Sequence, residues 1–167
     1  MDRRSLIRRT GIAGVLAAGV APAVHAQATV RWRLASSFPK SLDTLWGFSE
    51  TLSRKVSEMS SGKFQISIHP AGELVPAFGV VDVVQNGSID LAHTAPYYFT
   101  GKDTVFALAS GIPFGFNARQ IAAWMIQGNG RKLMNEFFAN YNMISFDGGH
   151  TGTQMGGWYR KPIKEVA

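Results

Sequence analysis

Cysteine is absent from the 167-residue chain, and charged residues make up only 17% of it. Without cysteine the chain can form no disulfide, no thiolate nucleophile and no cysteine-ligated metal site. This absence is compatible with any compartment, so it does not locate the protein. Hydrophobic residues make up 46% of the chain, which predicts one folded domain of ordinary size rather than a disordered segment.

A strongly basic stretch is also missing. Lysine and arginine number 17 against 11 acidic residues, a net charge of +6. Removal of the first 26 residues would leave 13 basic and 10 acidic residues. So small a surplus, without a basic run, argues against nucleic acid as a partner. It suits a soluble domain that meets small anions.

Side chains suited to catalysis are few. The four histidines are His25, His69, His93 and His150, and the last three follow predicted strands in separate places. The glycine pairs at 148–149 and 156–157 lack the Lys-Ser/Thr of a phosphate loop and the spacing of a dinucleotide fold. The sequence therefore predicts no catalytic residue and no enzyme.

The first 26 residues have the order of an export signal. Arg3-Arg4 precedes an apolar pair, as in twin-arginine signals, and an apolar core of small residues follows. Arg8-Arg9 is a competing pair with a poorer match. That core is shorter than the ~20 apolar residues that span a bilayer. Val24-His25-Ala26 places small residues before a cleavage site ahead of Gln27. We expect residues 1–26 to be a signal peptide, residues 27–167 to be the mature domain, and the product to be periplasmic.

Periodicity in the first half of the mature chain predicts alternating strands and helices. Apolar residues alternate in Val30–Ala35 and Phe64–Ile68, and a third strand is predicted at Ile89–His93. Between them, Leu42–Met59 and Val80–Val84 have helical spacing. The order strand, helix, strand, helix, strand predicts an α/β fold with a mostly parallel sheet and right-handed crossovers.

The second half is less regular. The predicted elements there are a short strand or bend at Ile112–Phe116, helices over Ala118–Gln127 and Leu133–Tyr141, a strand at Met143–Phe146 and an extended segment at Thr153–Tyr159. Asn117 is expected to cap the first of these helices.

Ligands of open parallel sheets bind beyond the carboxyl ends of the strands. Two segments should lie there, Ser36-Ser37-Phe38 after the first strand and His93 to Tyr98 after the third. Hydroxyl groups and backbone amides there could hold a carboxylate, while Phe38 and Tyr97 or Tyr98 could wall an apolar tail. The alternative is a surface loop whose aromatic residues turn inward. The candidate binding residues are Phe38, Thr94, Tyr97 and Tyr98.

Gln154 is a further candidate. If its segment is extended, Gln154, Gly156, Trp158 and Arg160 share one face and leave an open slot beside the amide. A glutamine side chain can donate to a carboxylate or offer its carbonyl to a cation. The alternative is a glycine-rich strand packed closely on its neighbour.

Five segments in order carry a resemblance to a known family. The chain resembles the DctP-type solute-binding receptors of tripartite ATP-independent periplasmic (TRAP) transporters in Trp32–Pro39, His69–Val75, Val84–Leu91, Ile112–Gly115 and Gly156–Lys164. Tyr97–Asp103 and Gln154–Trp158 look most like the branch that binds 2-oxo and 2-hydroxy monocarboxylates.

The resemblance implies a periplasmic-binding-protein-like receptor of two lobes that closes on a small organic anion and delivers it to membrane subunits. It implies a 2-oxo or 2-hydroxy monocarboxylate, with a C4-dicarboxylate next, and no catalysis. In that branch the position of Gln154 helps to hold sodium or calcium beside the substrate.

The resemblance also implies that much of the receptor is missing from this sequence. The family's carboxylate-binding arginine, most of its second lobe and its dimerising helix would follow residue 167. We therefore expect an amino-terminal fragment, with a dimer possible only in the full-length form. The alternatives are a twin-arginine-exported enzyme and a non-functional truncated receptor.

Overall fold

The sheet of the computed structural model has three parallel strands, and residues 29–152, 154 and 156–165 are described. The central strand is β1 (Val30–Ser36), with β2 (Phe64–His69) on one side and β3 (Leu91–His93) on the other. Val30 lies opposite Phe64, and Leu34 lies opposite both Ile68 and Leu91. The predicted α/β class and the parallel sheet are confirmed. The expected signal peptide lies outside the described residues.

Helix α1 (Asp43–Met59) joins β1 to β2 and buries Trp46 and Ser49 against the sheet. The helix ends where Ser61 and Gly62 adopt left-handed backbone angles, with φ of 52° and 77°. The amide of Gly62 then donates to the carbonyl of Ser57 at 2.8 Å. Gly62 thus forms a left-handed cap at the carboxyl end of the helix.

Helix α2 (Val80–Gln85) joins β2 to β3 and buries Val80 and Val81. The third strand begins at Leu91, two residues later than predicted. The side chain of Asp90 explains the difference, because its Oδ2 accepts the amide hydrogen of Arg33 at 2.7 Å. The Asp90 carboxylate thus accepts the amide hydrogen of Arg33, which a backbone carbonyl would accept if β3 were longer.

Two further helices, α3 (Ala118–Ile126) and α4 (Gly130–Ala139), follow two 3-10 turns at Pro96–Phe99 and Thr104–Ala109. Asn117 and Gln120 exchange hydrogen bonds of 3.0 Å between side chain and backbone, which forms a capping box. The predicted cap at Asn117 is confirmed.

Phe106 lies at the centre of the core and is fully buried. Its ring packs 5.0–5.9 Å from the rings of Phe99, Phe137, Phe138 and Tyr141. Ala35 of β1 and Val80 of α2 belong to the same cluster of buried residues. This cluster joins α4 and the second 3-10 turn to the sheet, and it fixes the loop that follows β3.

One prediction for the second half needs correction. Met143–Phe146 does not form a strand. Its backbone is held by a side chain instead, because Asn135 Oδ1 of α4 accepts the amide hydrogen of Ser145 at 2.7 Å. Ile112–Phe116 was predicted to be a short strand or a bend, and it is a bend. Of the predicted extended segment Thr153–Tyr159, residues 153 and 155 lie outside the described residues, and residues 156–159 are not in a strand.

Among the described residues, every helix is too short or too polar to cross a bilayer.

Candidate functional site

The loops after β1 and β3 meet at the carboxyl edge of the sheet. The amide of Ser37 donates to the carbonyl of His93 at 2.8 Å, which extends the pairing of the two strands by one step. The segments 36–38 and 93–98 therefore lie side by side, as the parallel order predicts. Four of the five predicted site residues, Phe38, Thr94, Tyr97 and Tyr98, lie in these two segments.

Aromatic rings line this edge. The ring of Tyr98 lies 4.7 Å from that of Tyr97, 5.3 Å from Phe78 and 6.3 Å from Phe38, between centroids. Phe38 is buried, whereas Tyr97 is 40% exposed. The rings thus grade from the core to the surface, as expected of a wall for a small apolar group.

The hydroxyl of Tyr98 stays protonated at neutral pH. Burial, followed by the neighbouring Tyr97 hydroxyl, raises the pKa of Tyr98 to about 12. A phenol in this state can donate a hydrogen bond to an anionic ligand.

The hydroxyl groups of Ser37 and Thr94 have a fixed direction of donation. Ser37 Oγ lies 2.6 Å from the carbonyl oxygen of Ala77, which can only accept, so Ser37 donates there. Ser37 Oγ also lies 2.6 Å from Thr94 Oγ1, so Thr94 must donate to Ser37. Neither hydroxyl has a proton left for a carboxylate. What Thr94 can still offer a ligand is a lone pair, which suits a cation or a ligand hydroxyl.

The imidazole of His93 lies beneath the same edge. Its centroid is 5.0 Å from that of Phe38 and 4.8 Å from that of Phe48. Its Nδ1 is 2.9 Å from the hydroxyl oxygen of Ser49, a fully buried residue of α1. Burial lowers the pKa of His93 to about 4, so the ring is neutral at pH 7.

Gln154 is not brought to this cluster by any hydrogen bond that the described residues make. Its Nε2 donates to Thr151 Oγ1 at 2.9 Å, on an exposed segment. The amide carbonyl oxygen keeps the chemistry of a sodium or calcium ligand. The role of Gln154 in metal binding stays a prediction.

The other histidines of the described segments lie at the surface. His69 Nδ1 is 2.6 Å from Glu73 Oε1, and His150 Nδ1 accepts the amide hydrogen of Gly152 at 3.2 Å. Across the described part of the chain, no three histidine or acidic side chains converge as a metal site would need.

Ser49, Phe48 and Phe78 contact residues of the candidate site, although the sequence alone does not predict them there. Ser49 had a detectable signal, because it lies three residues after Trp46 and three before Leu52 on the apolar face of α1. A hydroxyl on such a face needs a buried partner. No local signal identifies that partner as His93, since 44 residues separate the two.

Comparison with known proteins gives the family. Residues 35–167 match the family described as bacterial extracellular solute-binding protein, family 7 (DctP). A monocarboxylate 2-oxoacid-binding periplasmic protein of Nostoc sp. (strain PCC 7120) is 48% identical over 138 residues, which are 83% of this chain and 38% of that protein. The chain thus spans about two fifths of that relative's length.

Solved structures agree with this assignment. A TRAP transporter solute-binding protein from Bordetella bronchiseptica RB50, with copurified calcium and picolinate, is similar with a TM-score of 0.78 and 42% identity, over 81% of this chain and 40% of that one. A TRAP periplasmic solute-binding protein from Pseudoalteromonas atlantica T6c, with bound sodium and pyruvate, has a TM-score of 0.78 and is 38% identical. That match covers 81% of this chain and 41% of that one. A third such protein, from Colwellia psychrerythraea with bound calcium and pyruvate, has a TM-score of 0.79 and is 34% identical. That match covers 82% of this chain and 42% of that one.

The resemblance drawn from five short segments is therefore confirmed over the length of the match, and the chain belongs to the DctP family of bacterial extracellular solute-binding proteins.

Proposed function

We propose that this protein is the periplasmic receptor of a TRAP-type transporter and that it captures a 2-oxo monocarboxylate such as pyruvate. The observation that carries the proposal is the 48% identity to a 2-oxoacid-binding periplasmic protein. The cluster at the ends of β1 and β3 supports it, because the edge combines an aromatic wall with polar groups of defined hydrogen-bonding direction. Membership of a solute-binding family argues against the exported-enzyme alternative.

In this proposal Phe38 and Tyr98 pack against the short apolar part of the acid, and Tyr97 covers it from the exposed side. The protonated hydroxyl of Tyr98 is a donor for a ligand oxygen. Thr94 offers only a lone pair, so its partner is a cation or a ligand hydroxyl. The four residues would form one wall of a cleft that a second lobe closes.

A sodium or calcium ion bound beside the acid belongs to the same proposal. Two similar structures contain pyruvate, one with sodium and one with calcium. The carbonyl oxygen of Gln154 is the hard, neutral ligand that both ions accept. The nitrogen of that amide is already bonded to Thr151, which leaves the oxygen for the ion.

Export through the twin-arginine route, hand-over to membrane subunits and dimer formation by the full-length receptor complete the proposal.

Ligand binding by the protein, purified as its complete gene encodes it, tests this function. We expect pyruvate to raise the melting temperature in the presence of sodium or calcium, since a ligand that binds only the folded state stabilises it. Lactate and succinate serve as the 2-hydroxy and dicarboxylate comparisons. A melting temperature that none of the three acids moves, with either cation, would overturn the proposal.

A further inference from the structure

His93 occupies a position that gives it more than a packing role. It is the last residue of β3, it precedes Thr94, and its ring contacts that of Phe38. Two of the proposed binding residues therefore adjoin it, one along the chain and one across the edge of the sheet. The sequence alone predicts no catalytic role for it.

Ser49 fixes the proton of this imidazole. A buried hydroxyl group must donate its hydrogen to an acceptor or lose the free energy of that hydrogen bond. Ser49 is fully buried, and among the described residues its hydroxyl has one partner, His93 Nδ1 at 2.9 Å. Ser49 therefore donates and Nδ1 accepts. In the neutral ring the proton must then reside on Nε2.

Nε2 is the ring nitrogen that Ser49 does not contact. It makes no hydrogen bond to another described residue. No buried side-chain nitrogen or oxygen in the described segments lacks a hydrogen-bond partner, so Nε2 reaches solvent. The rings of Phe38 and Phe48 hold the imidazole plane, which gives the N–H a set direction.

We propose that His93 is a ligand-binding residue that donates its Nε2 hydrogen to an oxygen of the bound 2-oxo monocarboxylate. The inference rests on the proposed function and adds to it a donor that carries no charge. A donor with a fixed tautomer favours a ligand atom that only accepts, such as a 2-oxo oxygen or a carboxylate oxygen. Thr94, next in the chain, offers the opposite polarity, so the edge presents a donor beside an acceptor.

Two isosteric substitutions test the donor in the complete protein. In His93→Gln the amide nitrogen can take the place of Nε2 and still donate. In His93→Asn the shorter amide lies where Nδ1 was, so it can accept from Ser49 but no longer reaches the ligand. We expect the dissociation constant for pyruvate to rise roughly tenfold to a hundredfold in His93→Asn, and less than about fivefold in His93→Gln.

Nitrogen-15 spectra of the wild-type protein supply a readout that does not depend on the variants folding. Nδ1 should resonate as an unprotonated nitrogen and Nε2 as a protonated one, and pyruvate should shift Nε2. Equal pyruvate affinities for the two variants, or a histidine spectrum that pyruvate leaves unchanged, would overturn the inference while leaving the proposed function intact. If the wild-type protein binds no pyruvate, lactate or succinate, the proposed function fails and the inference fails with it.

Discussion

The hydroxyl oxygens of Ser37 and Thr94 lie 2.6 Å apart, and the carbonyl of Ala77 sets the direction in which they share their protons. Both loops of the candidate edge are joined by this pair, because Ser37 follows β1 and Thr94 follows β3. Hydrogen bonds are donated in one direction, from Thr94 to Ser37 and from Ser37 to the Ala77 carbonyl, which precedes α2.

Substitutions at the two hydroxyl residues should differ in their effect on stability. Ser37→Ala leaves the Ala77 carbonyl and the Thr94 hydroxyl without their partner, so we expect a loss of about 1–3 kcal/mol in the free energy of unfolding. Thr94→Val keeps the bond from Ser37 to Ala77 and should cost less than about 1 kcal/mol. Urea unfolding measures both. Equal losses would contradict the order of donation derived from the structure.

His93 should make the fold sensitive to acid. Its pKa is about 4 when folded and near 6.5 when unfolded, so between these values the unfolded state binds more protons. The stability that comes from neutral His93 is complete above pH 6.5 and is lost as the pH falls towards 4. Between pH 7 and pH 4.5 the wild type should lose about 1–2 kcal/mol more than His93→Gln, allowing for the partial exposure of the ring.

Carboxylates titrate in both proteins, so their contribution to the pH dependence cancels when the wild type is compared with His93→Gln. Unfolding curves at several pH values give the difference directly. Parallel pH profiles for the two proteins would show that His93 is not buried in its neutral form.

Gln154 should link ligand affinity to the cation. We expect Gln154→Ala to weaken pyruvate binding by the complete protein about tenfold, and to remove its dependence on sodium or calcium, because the amide oxygen would no longer coordinate the ion. Titration calorimetry with and without chelator measures both effects. Gln127→Ala, at the exposed end of α3, is the matched control. An unchanged response to cations would refute the role given to Gln154.

The paired arginines at the start of the chain should decide the export route. Replacing both Arg3 and Arg4 by lysine should leave the protein unprocessed in the cytoplasm, because twin-arginine signals require the pair. The same change at Arg8 and Arg9 should leave export intact. Cell fractionation with detection of the processed form distinguishes these outcomes. Export that survives the first pair of substitutions and fails with the second would move the signal to Arg8-Arg9.

Local pattern was enough to predict the elements whose partners follow from that pattern. Alternation identified β1 and β2, and the helical spacing of Leu42–Met59 matches α1. The strand expected at Met143–Phe146 failed for a physical reason. Three apolar residues out of four make a strand possible. A strand also needs a neighbouring strand, and here Asn135 Oδ1 accepts the amide hydrogen of Ser145 instead.

In the candidate site too, some features follow from local pattern and others depend on distant residues. Parallel order was enough to bring Phe38 and Tyr98 to one edge, since it depends only on the sequence of strands. The direction of the Thr94 proton and the tautomer of His93 were not predictable, because each depends on residues far away in the chain, Ala77 and Ser49. Hydrogen-bond polarity is a property of these long-range pairs rather than of any motif.

The central position of β1 has a consequence for how the molecule forms. Among the described strands β1 is synthesised first, and it has no partner until Phe64–His69 exists. Its other side stays open until Leu91–His93 has been made. A sheet assembled from such distant segments folds slowly, because long loops must close before pairing stabilises them. Any nascent or proteolysed chain that stops before Leu91 would leave one edge of β1 unpaired, and such an edge is a template for aggregation.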